Sequence, residues 1–267
     1  LGVTSIYLQL NDAVSDAAQP EAPLIHVHGA EKIVMPLMGL DFEIGPLSFF
    51  QTNARTCQLL YERALDWLRP ENSLVLDICC GVGTIGLCAA RRCRKVVGLE
   101  LVPEACDSAR RNAELNGIKN AIYHAGRAED VLPKILDEEV ASVGADCEVC
   151  AVVDPPRPGL HKDVLMALRD CRRLRRVVYI SCNPESLAED VVKLTTVRTG
   201  DDPFVPVRAV AVDMFPHTIH VEMVLLLERA SLLPPPPQLP EAHSNQGAGG
   251  RKHEGPDAAV APPGEGP

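Results

Sequence analysis

Ser73-Leu74-Val75-Leu76-Asp77-Ile78-Cys79-Cys80-Gly81-Val82-Gly83 is the stretch whose reading decides the fold. An apolar run of strand length stops at two glycines separated by one residue, and a helical pattern begins at once. Glycines at such a turn let backbone approach a ligand where side chains would block it, as in the first unit of a doubly wound parallel sheet. Downstream the pattern alternates. Strands are expected over 73–78, 95–99, 121–124, 148–153 and 176–181, then over 205–213 and 220–228. Helices are expected between them, over 83–91, 103–116, 128–136, 162–171 and 184–195. That order predicts an α/β domain with a seven-stranded sheet.

Upstream, Cys57, Leu60, Tyr61, Ala64, Leu65 and Leu68 fall on one helical face. Thr52 or Asn53 is placed to cap this helix and Pro70 to end it. Residues 1–47 show strand alternation, as in Ile6-Tyr7-Leu8-Gln9-Leu10, with turn signals at Asn11-Asp12 and between Pro20 and Pro23. We read 1–47 as the β-rich remnant of a preceding domain and 48–230 as the catalytic domain. Residues 231–267 open near Pro234-Pro235-Pro236-Pro237 and continue in Gly, Ala and Pro, a composition that predicts a disordered tail. No internal repeat and no apolar run of membrane length is present.

Hydrophobic residues make up 46% of the 267-residue chain but aromatics only 4%, so the core must be mainly aliphatic. The formal net charge of -10 argues against a generally basic surface of the kind that binds nucleic acid by neutralising phosphates. Two basic clusters stand out, Arg91-Arg92 with Arg94-Lys95 and Arg172-Arg173 with Arg175-Arg176. Each precedes a strand, where cations suit a helix C-terminus. Ten scattered cysteines without an apolar leader predict reduced thiols in an intracellular protein, in cytosol or nucleus, with the mitochondrion left open. Cys147-x-x-Cys150 has no second pair at zinc-site spacing, so no metal is expected.

Reactive groups stand at strand ends. Cys182 follows an apolar run in Tyr179-Ile180-Ser181-Cys182-Asn183-Pro184, and Pro184 starts a helix whose dipole lowers the pKa of a nearby thiol. Glu222 is a carboxylate inside the apolar strand that follows Met214-Phe215-Pro216-His217-Thr218-Ile219-His220-Val221, where burial raises its pKa. A nucleophile and a base are one reading; a buried cysteine and an ion-pair carboxylate are the other. Glu100, at the tip of the second strand, stands where an acid hydrogen-bonds a ribose diol, an arrangement that NAD-binding sites share. Two prolines after Asp154 fix a rigid turn that holds this acid over the cleft.

Taken with Phe49-Phe50-Gln51-Thr52-Asn53 and Asp154-Pro155-Pro156-Arg157, these segments resemble the uracil-5 RNA methyltransferase family over roughly 49–228, as separate motifs in the family's order. The resemblance implies the class I methyltransferase, Rossmann-like version of the sheet and S-adenosyl-L-methionine as cofactor. Cofactor contacts are implied at Gln51, Glu100 and Asp154, with others from the loop at Cys79, Gly81 and Thr84. The chain departs from the pattern where Cys79 replaces an aromatic, Thr84 an asparagine, and Gly126 the acid or amide after the third strand.

The implied chemistry assigns Cys182 as the thiolate that adds to uracil C6 and Glu222 as the base that removes the C5 proton. Arg157 would take a phosphate or the uracil carbonyl, or else a structural salt bridge. His220 and His217 would contact substrate or orient Glu222. RNA is the implied partner, with the uridine flipped out of its stack. We expect the T-loop of transfer RNA; ribosomal RNA, an amino-group methyltransferase and a non-catalytic RNA-binding or folding protein are the alternatives. Leu1 in place of Met reads as a piece of a longer protein whose RNA-binding module lies outside it.

Overall fold

The computed structural model describes residues 2–10, 22–197, 200 and 202–234. Two small antiparallel pairs come first, β1 (Ser5–Gln9) with β2 (Leu24–Gly29) and β3 (Ile33–Leu37) with β4 (Leu40–Ile44). The turn expected at Asn11-Asp12 lies outside the described residues. In the second pair, Leu37, Leu40, Phe42 and Ile44 are buried in the same apolar cluster as the helix that follows. Asn112 and Asn116 fasten this hairpin to the main domain by accepting from the backbone N–H groups of Glu43 and Asp41, at 2.8 and 2.9 Å.

Helix α1 (Ala54–Leu68) is capped by Asn53, whose side chain accepts from Thr56 N–H, and it ends at Arg69 in the left-handed region. All six apolar residues expected on its inner face are buried, and Trp67 joins them. The sheet then builds from β5 (Ser73–Ile78), β6 (Lys95–Glu100), β7 (Ala121–Ala125), β8 (Glu148–Val153) and β9 (Leu174–Ser181). Between these run α2 (Thr84–Ala90), α3 (Pro103–Leu115), α4 (Ala128–Ile135) and α5 (Lys162–Asp170). α6 (Pro184–Thr195), β10 (Phe204–Val212) and β11 (Glu222–Arg229) complete the domain.

The spatial order is β10-β11-β9-β8-β5-β6-β7. The five strands from β9 to β7 are parallel, and β11 is wedged between β9 and β10 antiparallel to both. The order therefore reverses at β5 and β8, and a cleft is expected beyond their carboxyl ends. Parallel strands covered by helices on both faces read as continuous apolar runs. Accordingly every residue of β5 is buried, between clusters made largely of Leu, Val, Ile and Ala.

Most boundaries fall within one or two residues of expectation, and three differences change the local structure. The last strand starts at Glu222 rather than at 220; in the turn just before it His217 adopts a left-handed φ of 67° and the Thr218 hydroxyl binds Phe215 O, and the chain resumes extension two residues later than expected. A π-helical turn, Leu136–Val140, extends α4. Ala230–Leu232 form a short 3-10 turn, and Ser231 at the head of the expected disordered tail donates to the Asp202 carboxylate through N–H and hydroxyl. Residues 235–267 of that tail lie outside the described residues.

The basic clusters serve the fold. Arg92 pairs with Glu71, Arg94 with Asp146, Lys95 with Glu139 and Arg176 with Glu148. Arg173 donates to the carbonyls of Val140, Val143, Gly144 and Cys147, closing the end of the π-helical turn. All ten cysteines are free thiols. Among the described residues no helix is long and apolar enough to cross a membrane, and no group of three or more Cys, His, Asp or Glu is placed to hold a metal ion.

Candidate active site

Loops from the carboxyl ends of β5, β6, β8 and β9 surround a cavity of about 960 Å³, closed on one side by the segment before α1 and on another by the turn before β11. A volume of this size suits a nucleoside-sized ligand together with a second ring.

On the β5 side, Cys79, Gly81 and Gly83 all have positive φ, of 64°, 54° and 83°. A Cβ at Gly81 would meet nothing within 4 Å, so its backbone is open to a ligand. Glu100 ends β6, and its carboxylate accepts from the N–H groups of Gly81 at 2.9 Å and Val102 at 3.0 Å. A carboxylate has about four acceptor positions, so Glu100 orders the glycine loop and keeps capacity for ribose hydroxyls. Thr84 opens α2, its hydroxyl 2.9 Å from that of Tyr61, a fully buried α1 side chain that also lines the cavity. Tyr61 was legible from the sequence only as core. Asp77, behind the loop, accepts from Gly86 N–H and is pushed up to about 7 by burial.

The other side of the cavity carries the reactive groups. β8 delivers Asp154, which burial pushes up to about 8 with help from the neighbouring Glu222 and Asp77 carboxylates. Gln51, 5% exposed, reaches the same cavity from the segment before α1. β9 delivers Cys182 and β11 begins with Glu222. Their pairing runs Val224 with Ile180 and ends at Met223 with Ser181, so Glu222 and Cys182 are the next residue on each side of the last pair, and the Glu222 carboxylate is close enough to act on the thiol.

Glu222 is 4% exposed, Oε2 has no hydrogen-bond partner, and burial pushes its carboxyl up to about 7. No ion pair to it occurs among the described residues, which leaves the ion-pair reading without support. The Cys182 thiol is raised by burial and by Glu222, while the Arg157 guanidinium nearby acts in the opposite direction. The lowering expected from the α6 dipole is therefore outweighed at this thiol. Arg157 is exposed and lies against Cys182, while His220 is exposed at the cavity wall with its N–H held by the Thr218 hydroxyl.

Ten of the residues singled out in the sequence thus line one cavity: Gln51, Cys79, Gly81, Thr84 and Glu100 toward the glycine loop, Asp154 between, and Arg157, Cys182, His220 and Glu222 beyond; His217, in the turn before β11, does not line it. Asn183 and Asp190, which hold two of the loops together, were not anticipated.

Comparisons with known proteins agree with this architecture. A family model described as tRNA (Uracil-5-)-methyltransferase matches residues 39–230. The human tRNA (uracil-5-)-methyltransferase homolog A is 43% identical over 232 residues, covering 85% of this chain and 36% of that protein. Mouse homolog B is 39% identical over 239 residues, covering 85% of this chain and 46% of that protein. The chain thus spans less than half the length of these curated relatives. Among solved structures, the Pyrococcus abyssi tRNA (uracil-54, C5)-methyltransferase in complex with S-adenosyl-L-homocysteine superposes with a TM-score of 0.65 at 32% identity, covering 85% of this chain and 51% of that one. By the extent of these matches and by its sheet order, the chain belongs to the tRNA (uracil-5-)-methyltransferase family.

Proposed function

We propose that this domain methylates C5 of a uridine in RNA, transfer RNA being the substrate that the relatives' names favour and its T-loop the target we infer, with Cys182 as nucleophile and Glu222 as base. The observation that carries the reading is the β9–β11 register, which brings a thiol and an unpartnered buried carboxylate together at the wall of one cavity.

S-adenosylmethionine, when bound, supplies a sulfonium methyl. The open backbone at Gly81, the acceptor capacity of Glu100, the buried Gln51 and the half-buried Asp154 fit such a group. Uracil C5 is a poor nucleophile because its electrons are delocalised into the ring. Addition of the Cys182 thiolate to C6 turns the ring into an enolate-like species with electron density at C5. After C5 takes the methyl, Glu222 removes the C5 proton, the C5–C6 double bond reforms and the thiolate leaves. A carboxyl near 7 suits a base that must accept a proton and return it to water close to neutrality. Arg157, beside the sulfur, stabilises the thiolate before addition and after elimination.

5-Fluorouridine-substituted tRNA tests this directly. Fluorine at C5 leaves no proton to abstract, so in the presence of S-adenosylmethionine the wild-type chain accumulates a covalent RNA adduct and Cys182→Ala forms none. Methylation of normal tRNA without any adduct on the fluorinated RNA, or by Cys182→Ala, would refute the mechanism and favour attack by a base amino group.

A further inference from the structure

The turn that carries Asp154 and Arg157 belongs to the loop between β8 and α5, whereas Cys182 belongs to the loop between β9 and α6. Two side chains of α6 bridge them. Asn183 caps the helix by accepting from Glu185 N–H at 3.1 Å, and its Nδ2 donates to the Arg157 carbonyl at 3.0 Å. Asp190 lies two helical turns further on and is 2% exposed. Its Oδ2 accepts from Leu160 N–H at 2.8 Å and from the Tyr179 hydroxyl, a β9 side chain, at 2.7 Å. Gly159 fits this arrangement closely: at φ +83° its missing Cβ would lie 2.6 Å from Asp190 Oδ2.

We propose that Asn183 and Asp190 are positioning residues that hold the turn 154–157 in register with Cys182, so that Asp154, Arg157 and the thiol meet one substrate ring at fixed separation. The inference rests on the function proposed above and extends it to residues outside the reacting groups. Asp190 is absent from the cavity wall, and a carboxylate this deeply buried is costly unless paired and hydrogen-bonded, a condition met by Lys193 on Oδ1 and by the two donors on Oδ2. Lys193, on the same helix, donates to Oδ1 at 3.3 Å, while the two donors to Oδ2 come from the two elements whose relative position matters, the loop after β8 and the strand before Cys182. Asn183, adjacent to Cys182 in the chain, makes the second link within one residue of the nucleophile. With links at both Arg157 and Leu160 the loop has little freedom to drift, and displacement of reacting groups by about 1 Å can cost about 100-fold in rate.

Single-turnover adduct formation on 5-fluorouridine tRNA, with saturating RNA and S-adenosylmethionine, tests the proposal in the full chain. Asp190→Ala is expected to slow adduct formation by roughly 100-fold, with unchanged Kd for S-adenosylhomocysteine. Asp190→Asn is expected to recover most of the rate, since its amide oxygen can accept from both Leu160 and Tyr179. Asn183→Ser keeps a side-chain cap on α6 but cannot reach the Arg157 carbonyl; we expect roughly a tenfold loss in rate with the pH profile unmoved.

Should Asp190→Ala fail to fold, the partly exposed Asn183→Ser carries the test. A wild-type rate per folded molecule in Asn183→Ser and in any folded Asp190→Ala, or a loss appearing only in RNA KM, overturns the positioning role. If the wild-type chain itself forms no adduct, the assignment of Cys182 fails first and the positioning role falls with it. Adduct formation in the wild type at a rate that both variants match overturns this proposal alone.

Discussion

Glu222→Gln should make the protein more stable and less active at once. The carboxyl has an ordinary value of 4.5 and is pushed up to about 7 by burial, so it binds its proton more tightly in the fold than in the unfolded chain. Between pH 4.5 and about 7 unfolding releases a proton, and stability falls as pH rises. Above about 7 the folded protein carries the whole penalty of a buried anion with Oε2 unpartnered.

At 1.36 kcal/mol per pKa unit the full difference corresponds to about 3 kcal/mol; water in the adjoining cavity screens part of it, leaving about 1.5 to 3 kcal/mol. Glutamine, neutral throughout, removes that penalty at pH 8 and changes little at pH 4.5. On a domain of this size the gain corresponds to a rise in Tm of roughly 3 to 10 °C at pH 8. Thermal unfolding of both forms at the two pH values measures it. The same variant lacks the base for elimination, so with normal uridine it should accumulate RNA attached to Cys182 while turnover falls by about 100-fold or more. A Tm difference that does not grow between pH 4.5 and 8 would refute the premise of a carboxyl held protonated by burial. Release of methylated RNA at the wild-type rate would refute its role as base.

Two further outcomes follow from the geometry. Arg157 opposes the raised pKa of Cys182, so Arg157→Ala should move the pH profile of adduct formation to higher pH and Arg157→Lys should move it less; an unmoved profile would show that the guanidinium does not act on the thiol. A Cβ added at Gly98 would lie 2.5 and 2.8 Å from Tyr123 ring carbons and 2.9 Å from Cys80 Sγ, so Gly98→Ala should cost about 1 to 3 kcal/mol by overpacking. A denaturation midpoint equal to that of the wild type would contradict the close packing of β6 on Tyr123.

Most of the fold was legible because its signals are local. The strand at 73–78, the helix at 184–195 and the strand at 148–153 have the observed boundaries, each a single periodic run closed by glycine, proline or a cap. The start of the last strand was misread because residues 220 and 221 carry no breaker; the turn before them depends on the left-handed φ of His217 and the Thr218 side chain. Cys182, Glu222, Glu100 and Asp154 were legible as reactive types in or at the ends of strands and the family resemblance pointed to the others, but Tyr61 was not legible as a site residue. Only its packing against Thr84 shows that a core position on α1 also lines the cavity. Asn183 reads in sequence as an ordinary helix cap, and its second bond, to Arg157, joins residues 26 positions apart.

By itself the sequence determined where strands give way to glycine loops and which strand ends carry acid, thiol or amide, because periodicity and turn chemistry act over a few residues. Only the tertiary structure decided that β11 enters the sheet antiparallel between β9 and β10. That placement follows from which sheet edge is left to pair and from the return path of the chain, neither of which any local pattern encodes. It brings the first residue of one strand, Glu222, next to the end of the ladder from which Cys182, 40 positions earlier in the chain, emerges.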